Sequence, residues 1–308
     1  FPALGEEITI DSVGASYGNN VIFLFIGGFL LALAMQRWNL HRRIALVVVR
    51  AMGPKPGGMI LGFMIATGFL SMWVSNTATA VMMLPIGISV LLLVAKFTAG
   101  KDESQVDVPG VTNGEAGEDA ADAPLPVVKS NFGTALMLGI AYSASVGSLG
   151  TLIGTPPNTL LAGYMSDSHG VVIGFGQWML VGVPLAVVMM ALVWFVLTKV
   201  LFKPEIKEIP GGRELIQEEL RKLGPMSTGE KMVGTIFILA ALSWVFIPIL
   251  FPGLISDAGI AMVVGVVLFL LPAGANRGVR LLDWESAVKL PWGVLLLFGG
   301  GLALSSQF

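Results

Sequence analysis

Apolar residues in this chain come in long runs separated by short clusters of charge. Several runs reach the roughly 20 apolar residues that cross a bilayer core. They are Val21–Ala34 extended outward through Tyr17, Trp178–Leu201, Met232–Phe251, and Ala258–Leu271 with its flanks. Another run, Phe132–Met165, spans 34 residues, about 50 Å as one straight helix, and the bilayer core is only about 30 Å thick. This pattern predicts an all-α polytopic membrane protein in which Phe132–Met165 is broken.

Composition agrees: 55% of the 308 residues are apolar and 12% charged, against about 25% charged in soluble domains. There are no cysteines, so disulfides and thiolate metal sites are excluded. A net charge of −2 gives no reason to expect a nucleic-acid partner.

Charge position adds the topology, because Lys and Arg mark the cytoplasmic side. All eighteen basic residues fall in four groups: Arg37–Lys55, Lys96–Lys129, Lys199–Lys231 and Arg277–Lys289. The loops Phe1–Asn20, Ser166–Gln177 and Pro252–Asp257 hold none. The four groups are therefore expected inside and the three loops outside. Between Lys129 and Asp167 the chain must cross an odd number of times, and three crossings do not fit.

The break is expected at Gly147–Asn158, GSLGTLIGTPPN, where glycines permit unusual dihedrals and Pro156 and Pro157 remove backbone donors. A simple proline kink is the alternative. Irregular backbone at membrane depth is tolerated where it is buried in protein or lines a cavity. The stretch Gly57–Lys96 has two apolar arms, Met59–Val74 and Ala78–Ala95, around Ser75-Asn76-Thr77. Both ends are inside, so the arms form a hairpin, and charge parity allows either a full crossing or a re-entrant turn. The uncharged tip suits a buried turn.

Val21–Gln36 (VIFLFIGGFLLALAMQ) resembles Gly293–Gln307 (GVLLLFGGGLALSSQ) with one gap. The charge argument gives the two copies opposite directions, as in the inverted repeats of secondary transporters. All twenty Asp and Glu residues lie in loops or near span ends, which argues against a proton relay through a membrane carboxylate. Hydroxyls, amide oxygens and carbonyls remain as hard ligands for an alkali cation, and helix N-termini remain for an anion.

Ser75-Asn76-Thr77 in a hairpin, followed by Gly154-Thr155-Pro156-Pro157-Asn158-Thr159 in a broken helix, resembles the divalent anion/sodium symporter family. The resemblance runs from about Val21 to the end of the chain and includes Trp38–Arg43. It implies an inverted-repeat secondary transporter with a re-entrant hairpin, working as a homodimer in the plasma or inner membrane. It also implies sodium-coupled symport of small di- or tricarboxylate anions, with sulfate transport or anion exchange as the alternative. By this resemblance Ser71, Ser75, Asn76 and the Gly154 backbone surround a sodium ion. Ser75, Asn76, Thr77, Thr155 and Pro156 face one substrate carboxylate. Ser71 and Ser75 are four residues apart, so in one helix their hydroxyls would face the same way. The chain starts without Met and ends inside an apolar run, so we expect the opening spans and the second Ser-Asn-Thr half to lie outside it.

The expected organisation is a first span and interfacial helix over 17–56, the hairpin over 57–96 and an acidic linker over 97–130. The broken helix and a following span occupy 131–202, a connector 203–231, and scaffold spans with the start of the second repeat 232–308. Lys101–Asp122, with seven acidic residues, is expected to be a solvated, disordered linker, and Asp102–Asp122 within it is expected to be dispensable for transport. Gly14-Ala15-Ser16-Tyr17-Gly18 matches a nucleophile elbow. However, no strand precedes it, and His41 and His169 belong to opposite sides, so no enzyme is expected. A channel would share the polar breaks.

Overall fold

The computed structural model describes residues 10–99, 130–206, 208–209, 211–274 and 278–305; the acidic linker expected at 102–122 lies outside them. Among the described residues the chain is helical, without named strands. A short helix α1 (Ile10–Tyr17) leads into α2 (Asn20–Arg37), α3 (Leu40–Ala51), α4 (Pro56–Ser71) and α5 (Asn76–Ala99). Next come α6 (Asn131–Gly147), α7 (Pro156–His169), α8 (Phe175–Phe195) with a π-helical extension Val196–Leu201, and α9 (Gly212–Lys222). The last elements are α10 (Thr228–Leu250), α11 (Asp257–Leu270), the short α12 (Trp284–Ala287) and α13 (Trp292–Ser305). Among the described residues five stretches are long and apolar enough to cross a membrane: Val13–Arg37, Asn76–Ala95, Asn131–Gly150, Phe175–Leu201 and Thr228–Leu250. The protein is a multi-pass membrane protein.

Caps set the helix starts where the sequence offers hydroxyl or amide side chains. Asn19 accepts from the Val21 N–H at 2.9 Å, and Ser130 accepts from the Gly133 N–H at 3.0 Å. Ser227 and Glu230 form a reciprocal capping box at α10. Gly170, at φ 65°, ends α7 in the left-handed conformation that favours glycine.

Small residues let helices approach closely, as is usual where lipid removes the hydrophobic drive for association. The helix α2 packs along α11, and a methyl group on Gly27 would lie 2.3 Å from the Ala261 carbonyl oxygen. The parallel pair α4–α6 packs in the same way, and a methyl on Gly147 would lie 2.2 Å from the Gly68 carbonyl oxygen. Two apolar cores result, one around α2, α10 and α11, the other around α3 to α6 with Ile216 of α9. The span in α2 is 61% buried and those in α8 and α10 only 22%, so α8 and α10 carry much of the exposed apolar surface of the described residues.

Described members of the basic groups, or residues beside them, meet at one end. Arg37 pairs with Asp283 and donates to Ser286 at 2.9 Å, Arg42 pairs with Glu219 at 3.1 Å, and Arg43 pairs with Glu230. Asn131, beside the second group, donates to the Lys203 carbonyl at 3.3 Å. The Arg37 guanidinium bound to Asp283, with help from Ser286, holds that carboxyl well below the usual carboxylate range. At the opposite end, Asp257 accepts from the Phe175 N–H at 2.7 Å and so joins two of the basic-free loops. These contacts agree with the sidedness expected from charge.

Candidate functional site

Both irregular segments are reached from the basic end by parallel helices of similar length, α4 with 16 residues and α6 with 17. The helix α4 stops at Ser71, and Met72–Ser75 turn the chain into α5, which starts at Asn76. The helix α6 tightens into a 3-10 turn at Ser148–Gly150, and a further tight turn, closed by the Gly154 N–H on the Thr151 carbonyl at 3.4 Å, leads to α7. Pro156 and Pro157 therefore do not interrupt a helix. They occupy the first turn of α7, where a missing N–H costs nothing. The break itself is Thr151–Thr155.

Side-chain hydrogen bonds satisfy the carbonyls that the break leaves exposed. The Asn158 amide donates to the Ser148 carbonyl at 3.0 Å and to the Thr151 carbonyl at 2.8 Å, while Thr159 donates to Leu152. Thr151 donates to the Met72 carbonyl and so ties the break to the hairpin turn. Trp73 anchors the turn from the other side, 4.7 Å from Phe237 edge-on and 6.0 Å from Phe175 stacked.

At the junction lies Ser71, fully buried. Its hydroxyl is 2.6 Å from the Ala144 carbonyl oxygen and 2.8 Å from Asn76 Oδ1. One proton cannot serve both acceptors. If it goes to Ala144, Ser71 Oγ and Asn76 Oδ1 meet lone pair to lone pair, which either a cation or a turned-over amide relieves. Among the described residues there is no group of His, Cys, Asp or Glu able to hold a metal ion. The chemistry offered here is neutral oxygen.

The residues expected at the site are not gathered equally. Ser71 and Asn76 are in contact. Ser75 lies beyond the end of α4, so its four-residue spacing from Ser71 is not helical; it is exposed, and its hydroxyl accepts from the Ala78 N–H at 3.3 Å. Asn76 and Thr77 form the first turn of α5, ahead of its first backbone bond from Thr79 to Ser75 at 2.9 Å. Their N–H groups are therefore free to meet an anion. Gly154 is buried, and Thr155 and Pro156 are half-buried. Among the described residues no hydrogen bond joins Gly154, Thr155 or Pro156 to Ser75, Asn76 or Thr77. With prolines at its first two positions, α7 offers an anion fewer donors than α5 does. Sequence reasoning missed the Ala144 carbonyl and the Thr151 bridge. A carbonyl carries no sequence signal, whereas Thr151 stood inside the expected break. The Thr79 hydroxyl, buried and without a hydrogen-bond partner among the described residues, also went unnoticed.

The sequence pattern of a family described as "Sodium:sulfate symporter transmembrane region" matches residues 3–308. The chain is 43% identical over 308 residues to the "Sodium-dependent dicarboxylate transporter SdcS" of Staphylococcus saprophyticus, covering 98% of this chain and 55% of that protein. It is 41% identical to the protein of the same name from Staphylococcus aureus strain USA300, with the same coverage. The chain thus spans about half the length of the curated relatives it matches.

Proposed function

The chain belongs to the family of sodium:sulfate symporter transmembrane regions, and from that premise we propose that it contributes to sodium-coupled symport of small di- or tricarboxylate anions. The carrying observation is its 41–43% identity to proteins named sodium-dependent dicarboxylate transporters. Sulfate transport is the second reading, favoured by the family's own description. A carrier of this kind performs no covalent chemistry, and we assign no catalytic residue.

In this reading sodium sits at Ser71, Ser75, Asn76 and the Gly154 backbone. The close approach of Ser71 Oγ, Asn76 Oδ1 and the Ala144 carbonyl supports a cation beside Ser71 and Asn76. The substrate carboxylate faces Ser75, Asn76, Thr77, Thr155 and Pro156, with the start of α5 supplying N–H groups. Sodium nearby lowers the repulsion felt by the anion, so the two bind with reciprocal coupling. The hairpin is re-entrant. Its first arm, α4, has 16 residues, about 24 Å, which is short of a bilayer core of about 30 Å. An inverted repeat begins again at α13. Tyr17, preceding α2, packs on Gly299 midway along α13, while Arg37 at the end of α2 reaches Asp283 before α13, so the two helices run in opposite directions. The working unit is a homodimer.

Uptake of radiolabelled succinate, citrate and sulfate by the full-length protein, with and without sodium, tests the proposal. Sodium-dependent, saturable succinate or citrate uptake is expected. Uptake of sulfate alone supports the second reading, and flux without saturation or sodium dependence identifies a channel.

A further inference from the structure

At the basic end, away from the hairpin tip, a cavity of about 320 Å³ opens between the start of α4 and the end of α8. Lys55, Gly57, Trp194, Thr198, Lys199 and Ile206 line it, and among the described residues no acidic one does. Among the described residues neither lysine has a carboxylate partner. Glu205, close in sequence, is committed elsewhere, accepting from the Asn131 N–H at 2.6 Å and the Phe132 N–H at 3.3 Å.

The cavity is held open by specific contacts. Trp194 Nε1 donates to the Gly57 carbonyl at 2.9 Å and locks the end of α8 against α4. Beyond Trp194 the helix widens into its π-helical turn, Val196–Leu201, which contains Lys199. Such turns recur at functional sites. Lys199 Nζ lies 5.9 Å from the centre of the Trp194 ring. On the opposite wall Lys55 precedes α4, whose first backbone bond runs from Met59 to Lys55 at 2.8 Å. The Gly57 N–H therefore lies ahead of the hydrogen-bonded ladder, at the positive end of the helix dipole. A methyl group on Gly57 would meet only Trp194, at 3.9 Å, so the approach is open.

Two unpaired cations and a helix start facing one concave space fit an anion with several oxygens. The surroundings identify its source. The cavity sits where apolar helices end, and α8 continues from it as an exposed apolar surface through Leu192, Phe195 and Val196. A free anion has no use for that surface, whereas acyl chains do. Basic pockets between spans on the cytoplasmic side are a recurring form of lipid-headgroup site. We propose that this cavity holds the phosphate headgroup of an anionic membrane lipid between Lys55 and Lys199, with its acyl chains along α8.

The test uses the full-length protein in phosphatidylcholine nanodiscs titrated with phosphatidylglycerol, with bound lipid counted by native mass spectrometry. Saturable retention of phosphatidylglycerol over phosphatidylcholine is expected. Lys55→Gln and Lys199→Gln should each weaken it about fivefold, while Lys222→Gln, an exposed lysine already paired with Glu219 at 2.9 Å, should not. Unchanged retention in both cavity variants, or an equal loss in Lys222→Gln, would overturn the site. Inorganic phosphate alone, in detergent without lipid, should not raise the unfolding temperature. A rise that disappears in Lys55→Gln would overturn the lipid assignment in favour of free phosphate.

Discussion

The crossings α2–α11 and α4–α6 obey the same packing rule but differ in polarity and in how far their helices continue. In each, two parallel helices close to backbone contact at a glycine, Gly27 against Ala261 and Gly147 against Gly68. The first crossing is apolar throughout, with Phe25, Leu31 and Ala261 buried around it, and both helices continue past the contact. The second is lined with buried hydroxyls, Thr67, Ser71 and Ser143, and both helices end within a few residues of the contact. Close packing thus serves as a fixed frame in one place. In the other it brings two broken backbones side by side, where hydroxyl, amide and carbonyl oxygens can share a ligand.

The largest expected effect tests the shared rule. Gly27→Val and Gly147→Val each drive a side chain into backbone, and each should destabilise the protein by about 3 kcal/mol or more, seen as loss of the monodisperse peak in size-exclusion chromatography. A well-folded Gly147→Val would mean that the second crossing is looser than the first.

Glu230→Ala should come next. The Arg43–Glu230 pair ties α3, which packs on α4, to α10, which packs on α2, and so joins the two regions. Glu230 is only 4% exposed, and removing one partner of a buried pair costs on the order of 3–5 kcal/mol. A thermal midpoint close to that of the parent protein would show that the regions do not depend on this brace.

The third prediction separates packing from ligation. Ser71→Ala should raise the sodium concentration for half-maximal substrate binding about tenfold, one lost ligand at about 1.4 kcal/mol. Its stability cost should be only about 1 kcal/mol. Ser143, equally buried but donating to the Gly139 carbonyl one helical turn back, is the control. Ser143→Ala should leave sodium dependence unchanged. If the two variants behave alike in sodium titrations, the hydroxyls of this crossing only pack.

The smallest effect concerns His41 on α3. Burial lowers its pKa, partly offset by the Met35 carbonyl 3.1 Å from Nδ1, and nearby Arg42 lowers it further. The imidazolium is then favoured in the unfolded chain, so this contribution to stability is present above the unfolded pKa of about 6.5 and is lost as pH falls below it. Thermal midpoints should decline from pH 7 to pH 5.5, and less steeply in His41→Gln. Equal slopes would remove His41 as the cause.

Most of the fold was legible because its signals are local. A helix long enough to span, such as Phe175–Leu201, needs only its own residues to be apolar, and sidedness needs only the positions of Lys and Arg. Among the described residues three of the expected inside groups do converge, through Arg37–Asp283, Arg42–Glu219 and Arg43–Glu230. The break after Gly147 was visible because a mainly apolar run of 34 residues cannot fit one straight crossing. Short elements such as α1 and α12 passed unnoticed, since eight and four residues give too little periodicity to detect.

Only the tertiary structure decided which groups meet. Sequence spacing suggested that Ser71 and Ser75 share a face, but α4 ends between them, so one is buried beside Ala144 while the other caps α5 in the open. No pattern along α6 marks the Ala144 carbonyl, because every residue has one. Its place beside Ser71 comes from where Gly68 lets α4 approach Gly147, which fixes the turn of α6 that faces Ser71. Hydrophobicity and charge act residue by residue and can be read along the chain. A ligand set of neutral oxygens depends on the register between two helices, and that register exists only once they have packed.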